Sequence, residues 1–234
     1  MLKNLIPARF HYQLSEIKNS LFGGYGRKQY SQFGEDVVVT KLLPQTRGFY
    51  VDVGAHHPKR YSNTYLLFKR GWSGINIDPN LHTISLFNRA RPRDTNLCLG
   101  VGSKEDTLEY FQFSDPAVNT FSKEEAAKWM NKDWISYIGK KMVPILPLAK
   151  ILEREAHQPH INFLSIDVEG MDFDVLMSFN WDKAKPDVIA IESHSFNSAS
   201  PTDDKIFSFL VEKQNYTLVA HVGPSLIFKR TQHI

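Results

Sequence analysis

A chain of 234 residues, 42% of them hydrophobic, suits one large domain with its own core, or a domain carrying a modest insertion. Its formal net charge is only +3 and no run of Lys or Arg forms a stripe, which argues against nucleic acid as a partner. The single cysteine, Cys98, rules out an internal disulfide and fits a reducing, cytoplasmic setting.

Met1 to Phe22 mixes charged and apolar residues, without the core of a secretory signal or the roughly 20 apolar residues of a membrane span. It is expected as an amphipathic helix packed on the domain, with Gly23-Gly24-Tyr25-Gly26 as a joint, so that residues 1–29 form an extension. Ser31 is placed to cap a short helix containing Gln32, Glu35 and Asp36. The first strand, Phe49 to Val53, runs into Asp52-Val53-Gly54-Ala55, where a carboxylate meets a tight turn. Thr64 to Lys69 reads as a helix and Gly74 to Asp78 as the second strand. Asp78 follows Gly54 by 24 residues, the spacing at which a carboxylate at the next strand tip meets a ribose diol.

Thr83 to Arg89 is the next helix, and Thr95 to Val101 the third strand, with Cys98 buried in it. Gly102 to His160 is too long for a simple crossover and reads as an insertion of a strand, Thr107 to Phe113, then a loop and a helix. Ser122 and Glu125 form a capping-box pattern for that helix, whose apolar face would comprise Ala126, Trp129, Met130 and Ile138. Trp129 and Trp134 either line a substrate pocket or pack in a core or oligomer contact. Ile161 to Asp167 and Asp187 to Glu192 are strands followed by helices at Asp172 to Phe179 and Asp203 to Gln214. Such alternation predicts a parallel sheet covered on both faces. The last two strands, Tyr216 to Val222 and Leu226 to Lys229, are separated only by Gly223-Pro224-Ser225 and must form an antiparallel hairpin.

Seven strands, mostly parallel and ending in a hairpin, with an Asp-x-Gly-Ala turn after the first, resemble the Rossmann-like class I methyltransferases that use S-adenosylmethionine. Ser31-Gln32-Phe33-Gly34-Glu35-Asp36, Val51-Asp52-Val53-Gly54-Ala55-His56-His57-Pro58, Ser62-Asn63-Thr64, Gly71-Trp72, Gly74-Ile75-Asn76-Ile77-Asp78-Pro79 and Ile166-Asp167-Val168-Glu169-Gly170 resemble the FkbM methyltransferase family over about Tyr30 to Glu192. The resemblance implies a methyltransferase domain from residue 30 to 234, acting on a hydroxyl of a sugar or secondary-metabolite-type small molecule. It implies donor contacts from Ser31, Gln32, Glu35, Asp52, Gly54, Ala55, His57, Asn63 and Asp78, with His57 shaping the cofactor loop and His56 bonded to nearby backbone.

Asp167 and His194 lie at strand tips where a carboxylate or imidazole can accept a hydroxyl proton. Alternatively Asp167, Glu169 and Glu192 hold Mg²⁺, which would acidify and orient the acceptor. Two other functions compete: an NAD(P)-dependent Rossmann oxidoreductase, and a non-catalytic cofactor-binding module. The first is disfavoured because Ala55-His56-His57-Pro58 stands where a dinucleotide pyrophosphate needs further glycines and free N–H groups.

Overall fold

The computed structural model describes residues 28–156 and 160–231, so the expected N-terminal helix and its glycine joint lie outside the described residues. The strands are β1 (Phe49–Val53), β2 (Ser73–Ile77), β3 (Thr95–Leu97), β4 (Gly100–Val101), β5 (Asp106–Phe113), β6 (Tyr137–Leu146), β7 (Phe163–Ile166), β8 (Val188–Glu192), β9 (Tyr216–Val222) and β10 (Ser225–Arg230). The helices are α1 (Glu35–Leu42), α2 (Tyr65–Lys69), α3 (Leu81–Ala90), α4 (Lys123–Met130), α5 (Leu148–Glu155), α6 (Asp172–Met177) and α7 (Lys205–Ser208), the last running into a π-turn at Phe209–Lys213.

Seven strands form one Rossmann-like sheet in the order β3-β2-β1-β7-β8-β10-β9. All neighbours are parallel except β10, which is antiparallel to both β8 and β9. The C-terminal hairpin is therefore as expected. Residues of β1 alternate between faces, as a period of two requires. Phe49, Val51 and Val53 pack with Leu148 and Ile151 of α5 and Val175 and Leu176 of α6. Tyr50 packs instead with Val39 of α1 and Leu67 of α2. Both faces of the strand are thus buried under helices, which is why Phe-Tyr-Val-Asp-Val reads as a nearly continuous apolar run.

The third strand departs from expectation. It breaks after Leu97; β3 stays in the main sheet while β4 pairs with β6 in a second, three-stranded sheet of order β4-β6-β5. Cys98 stands in the break and is exposed, not buried. Ile138 does not continue the apolar face of α4 but is an exposed residue of β6, a ten-residue strand absent from the sequence reading. The α4 cap is as read: Ser122 Oγ accepts from the Glu125 N–H at 3.2 Å. Phe111, Phe113, Val118, Ala126 and Ile135 give this segment a small core of its own. Among the described residues no helix is long and apolar enough to cross a membrane.

Candidate active site

The strand order reverses between β1 and β7, and a cavity of about 680 Å³ opens there, beyond the C-terminal ends of the parallel strands. Asp52, in β1, is buried and accepts from Thr64 Oγ1 at 2.6 Å while lining the cavity. Burial raises its pKa. Asp78 follows β2; one carboxylate oxygen accepts from the His56 N–H at 3.0 Å and the other from the Asn80 N–H at 2.7 Å. Desolvation pushes Asp78 up to about 6 against those two stabilising bonds.

Gly54 has φ of +79°, and a Cβ on it would lie 1.7 Å from the carbonyl oxygen of Asp167. Its freedom therefore serves the close approach of the β1 turn to the β7 tip, a constraint within the chain itself. Ala55 is buried against the cavity and Asn63 lines it, donating to Ser165 Oγ at 3.1 Å. The start of α2 is held by Ser62, whose Oγ accepts from the N–H groups of Thr64 and Tyr65.

The two histidines exchange their expected places. His56 lines the cavity, in a left-handed conformation, and burial lowers it to about 4. His57 turns away, its Nδ1 accepting from the N–H groups of Lys59 and Arg60. Gln32 lines the cavity, but it precedes α1 and is not inside it. Ser31 and Glu35 stand behind that wall. Ser31 Oγ donates to Asp36 at 2.8 Å, and Glu35 accepts from the Phe33 N–H at 2.9 Å and from Ser225 Oγ at 3.2 Å. These polar groups fasten the 31–36 loop to itself and to β10.

A residue that sequence reading passed over holds the opposite wall. Arg91 is fully buried and donates to Thr64 Oγ1 and Ser62 Oγ, each at 2.7 Å, and to the carbonyl of Pro58. Through Thr64 it steadies Asp52. The only trace in the sequence is an Arg-Pro at the end of an amphipathic helix, which ordinarily marks an exposed C-terminus.

At the tips of β7 and β8 the charge is concentrated. Asp172 accepts from the N–H groups of Val168 and Gly170, both at 3.1 Å, and bends the chain so that Asp167 and Glu169 line the cavity beside Glu192 and His194. Burial and the neighbouring carboxylates raise Asp167 well above the usual range, Glu169 to about 8 and Asp172 to about 7. His194 Nε2 lies 3.2 Å from Glu192 Oε2, an ion-pair contact that holds the imidazole up to about 9, although the N–H is not aligned on the oxygen. Opposite stand Tyr110 and Phe121 from the segment around β5, and Trp129 and Trp134, edge to face with centroids 5.7 Å apart. Both tryptophans therefore meet the cavity, the pocket-lining alternative.

Residues 52–218 match the family model described as the Methyltransferase FkbM domain. The chain belongs to the FkbM methyltransferase family. Membership of that family implies S-adenosylmethionine as the methyl donor and displaces the dinucleotide-oxidoreductase reading. A TehB-like S-adenosylmethionine-dependent methyltransferase from Corynebacterium glutamicum is similar at 11% identity and a TM-score of 0.39, over 97% of this chain and 100% of that one. A methyltransferase from Geobacter sulfurreducens is similar at 12% identity and a TM-score of 0.46, over 99% of this chain and 93% of that one. No curated protein matches the chain.

The FkbM cavity has the character the donor requires. S-adenosylmethionine carries a sulfonium, an ammonium and a ribose diol. The lining offers the carboxylates of Asp52, Asp78 and Asp167.

Proposed function

We propose that this FkbM protein methylates a hydroxyl oxygen of a sugar or of another hydroxylated small molecule. The donor supplies an electrophilic methyl group on a sulfonium, so the chain must hold two reactants in line and remove one proton. Asp78 accepts from the ribose hydroxyls. Asp52, Asn63 and Gln32 bind the methionyl end, and Gly54 and Ala55 form the floor beneath it. Ser31, Glu35 and His57 contribute by fixing the two loops that carry those contacts.

The observation that carries the reading is the set of acids at the β7 and β8 tips facing an aromatic wall. A hydroxyl acceptor needs a base there, and aromatic faces suit the C–H surface of a sugar ring. Of the two candidate bases, His194 is already protonated at neutral pH because Glu192 holds it at about 9. Asp167 is therefore the base. Burial among acids raises it, and the positive charge of a bound donor would return it to the carboxylate. Mg²⁺ on Asp167, Glu169 and Glu192 is the metal-assisted alternative, in which the cation rather than a free Asp167 would activate the acceptor hydroxyl. We take residues 30–234 as the methyltransferase unit and 102–160 as the insertion that builds its acceptor wall, since Tyr110, Trp129 and Trp134 all come from it.

The test combines calorimetry with a labelled-methyl screen of hydroxylated sugars, lipids and metabolites. Donor binding and oxygen-linked label are expected, with Asp167→Asn losing turnover by far more than it loses donor affinity. Label found only on nitrogen or carbon acceptors would remove the reading, as would full turnover in Asp167→Asn.

A further inference from the structure

We propose that Glu169, Glu192 and His194 bind one divalent transition-metal cation at the tips of β7 and β8. One ligand atom from each lies within 4.8 Å of the others. Three atoms each about 2.1 Å from a shared ion and evenly spread stand roughly 3.5 Å apart, so His194 Nε2 and Glu192 Oε2, 3.2 Å apart, already have the spacing and the widest pair must close by about 1 Å. A second observation concerns Glu192. Glu192 is only 9% exposed, and its Oε2 is buried without a hydrogen bond while the residue lines the cavity. The basic group nearest it is His194, whose Nε2 stands 3.2 Å away and off line, so a cation would take the place of the imidazole proton between two ligand atoms.

The backbone is arranged to aim these groups. Glu169 sits in the left-handed region with φ of 55°, followed by Gly170 at 101°, and its carbonyl is tied to Thr120 Oγ1 at 2.7 Å. Backbone strain of that kind is a feature that functional sites tend to carry. The surrounding charge is one-sided. Glu192, Asp172 and Glu125 all press on Glu169, with His194 the basic group set against them, and Glu125 is itself paired with Lys128.

The donor set also selects the metal. One imidazole nitrogen with two carboxylates suits Mn²⁺, Fe²⁺ or Zn²⁺ better than Mg²⁺, which prefers oxygen ligands alone. His194 thus joins the site and Asp167 leaves it, freeing Asp167 to take a proton. The role in turnover rests on the hydroxyl-methylation reading: a bound cation would take up the acceptor oxygen and lower its pKa.

The experiment uses the full chain, treated with chelator, and titrates Mn²⁺ by electron paramagnetic resonance and Zn²⁺ and Mg²⁺ by calorimetry, without donor. One site per chain is expected, at least tenfold tighter for Mn²⁺ and Zn²⁺ than for Mg²⁺. Glu192→Gln, Glu169→Gln and His194→Ala should each weaken Mn²⁺ at least tenfold with unchanged circular dichroism, and Asp78→Asn should leave it unaltered. Absence of saturable binding overturns the proposal, as does Mn²⁺ affinity unaffected in a folded Glu169→Gln/Glu192→Gln double variant. Mg²⁺ binding as tight as Mn²⁺ overturns the choice of metal. Donor affinity is measured in parallel: donor bound without metal removes this site alone, and metal bound without donor removes the methyltransfer reading alone.

Discussion

Asp78→Asn should help the fold at high pH while harming donor binding. The carboxyl titrates at about 6 in the folded protein against an ordinary 3.8, with burial as the main cause. The folded value is the higher one, so the stabilisation from protonated Asp78 is complete below 3.8 and lost as pH rises through about 6. At about 1.4 kcal/mol per pH unit, the ionised carboxylate at pH 8 leaves the fold about 3 kcal/mol less stable than the protonated one, with about half of that incurred by pH 5. Asparagine removes the titration. It also keeps one carbonyl oxygen where the carboxylate accepts from both His56 and Asn80, a pH-independent loss of about 1–3 kcal/mol. The diagnostic quantity is therefore the change in the difference between the two proteins, which should move by about 1.5 kcal/mol in favour of Asp78→Asn between pH 5 and pH 8. Urea unfolding followed by tryptophan fluorescence, with the fully buried Trp72 as one reporter, measures it. Donor affinity at pH 8 should fall about 10- to 100-fold, the worth of a charged hydrogen bond to the ribose. A difference that stays constant with pH, or that moves toward the wild type, would refute the burial argument.

Arg91→Met strips donors from Thr64, Ser62 and Pro58 in a fully buried setting, so it should cost at least about 3 kcal/mol in urea unfolding and weaken donor binding through the loosened Asp52. Arg91→Lys should recover only part of both. Gly54→Ala forces a Cβ into the Asp167 carbonyl at a positive φ, and should cost about 4 kcal/mol or more, read as loss of folded protein or a lowered urea midpoint. Donor binding near pH 7 should release protons from the raised acids that line the cavity, Glu169 at about 8 among them, seen as calorimetric enthalpies that differ between phosphate and Tris buffers. S-adenosylhomocysteine, lacking the sulfonium charge, should release fewer; equal enthalpies in both buffers for the donor would refute the coupling.

Much of the sheet was legible because its strands are buried on both faces, so Phe49–Val53, Phe163–Ile166 and Val188–Glu192 appear as short apolar runs between turn signals. Within the segment from 98 to 146 only β5 and the capped start of α4 were legible. Its strand β6, Tyr-Ile-Gly-Lys-Lys-Met-Val-Pro-Ile-Leu, is largely exposed at its start, so neither alternation nor a continuous apolar run marks it. Cys98 was misplaced because an apolar run does not reveal where a strand changes sheets. Carboxylates at strand tips were found because topology alone brings them to the switch point. The exchange of roles between His56 and His57 was invisible, since it depends on backbone dihedrals and on which ring meets the Lys59 and Arg60 N–H groups.

The acids of this cavity make sense only with a cation in view. Asp52, Asp78, Asp167 and Glu169, with Asp172 behind them, all have raised pKa values with burial as the largest cause, so burial opposes their ionisation. Arg91, the nearest buried base, is committed to hydroxyls and a carbonyl, and reaches Asp52 only through Thr64. A neutral ligand would gain nothing from this arrangement. A sulfonium with an ammonium beside it would favour the ionised forms of the acids around it, and a divalent cation would do so most strongly at Glu169. On this account stability is sacrificed at the same carboxylates that confer affinity, and substitutions that neutralise them should stabilise the unliganded fold while weakening its ligands.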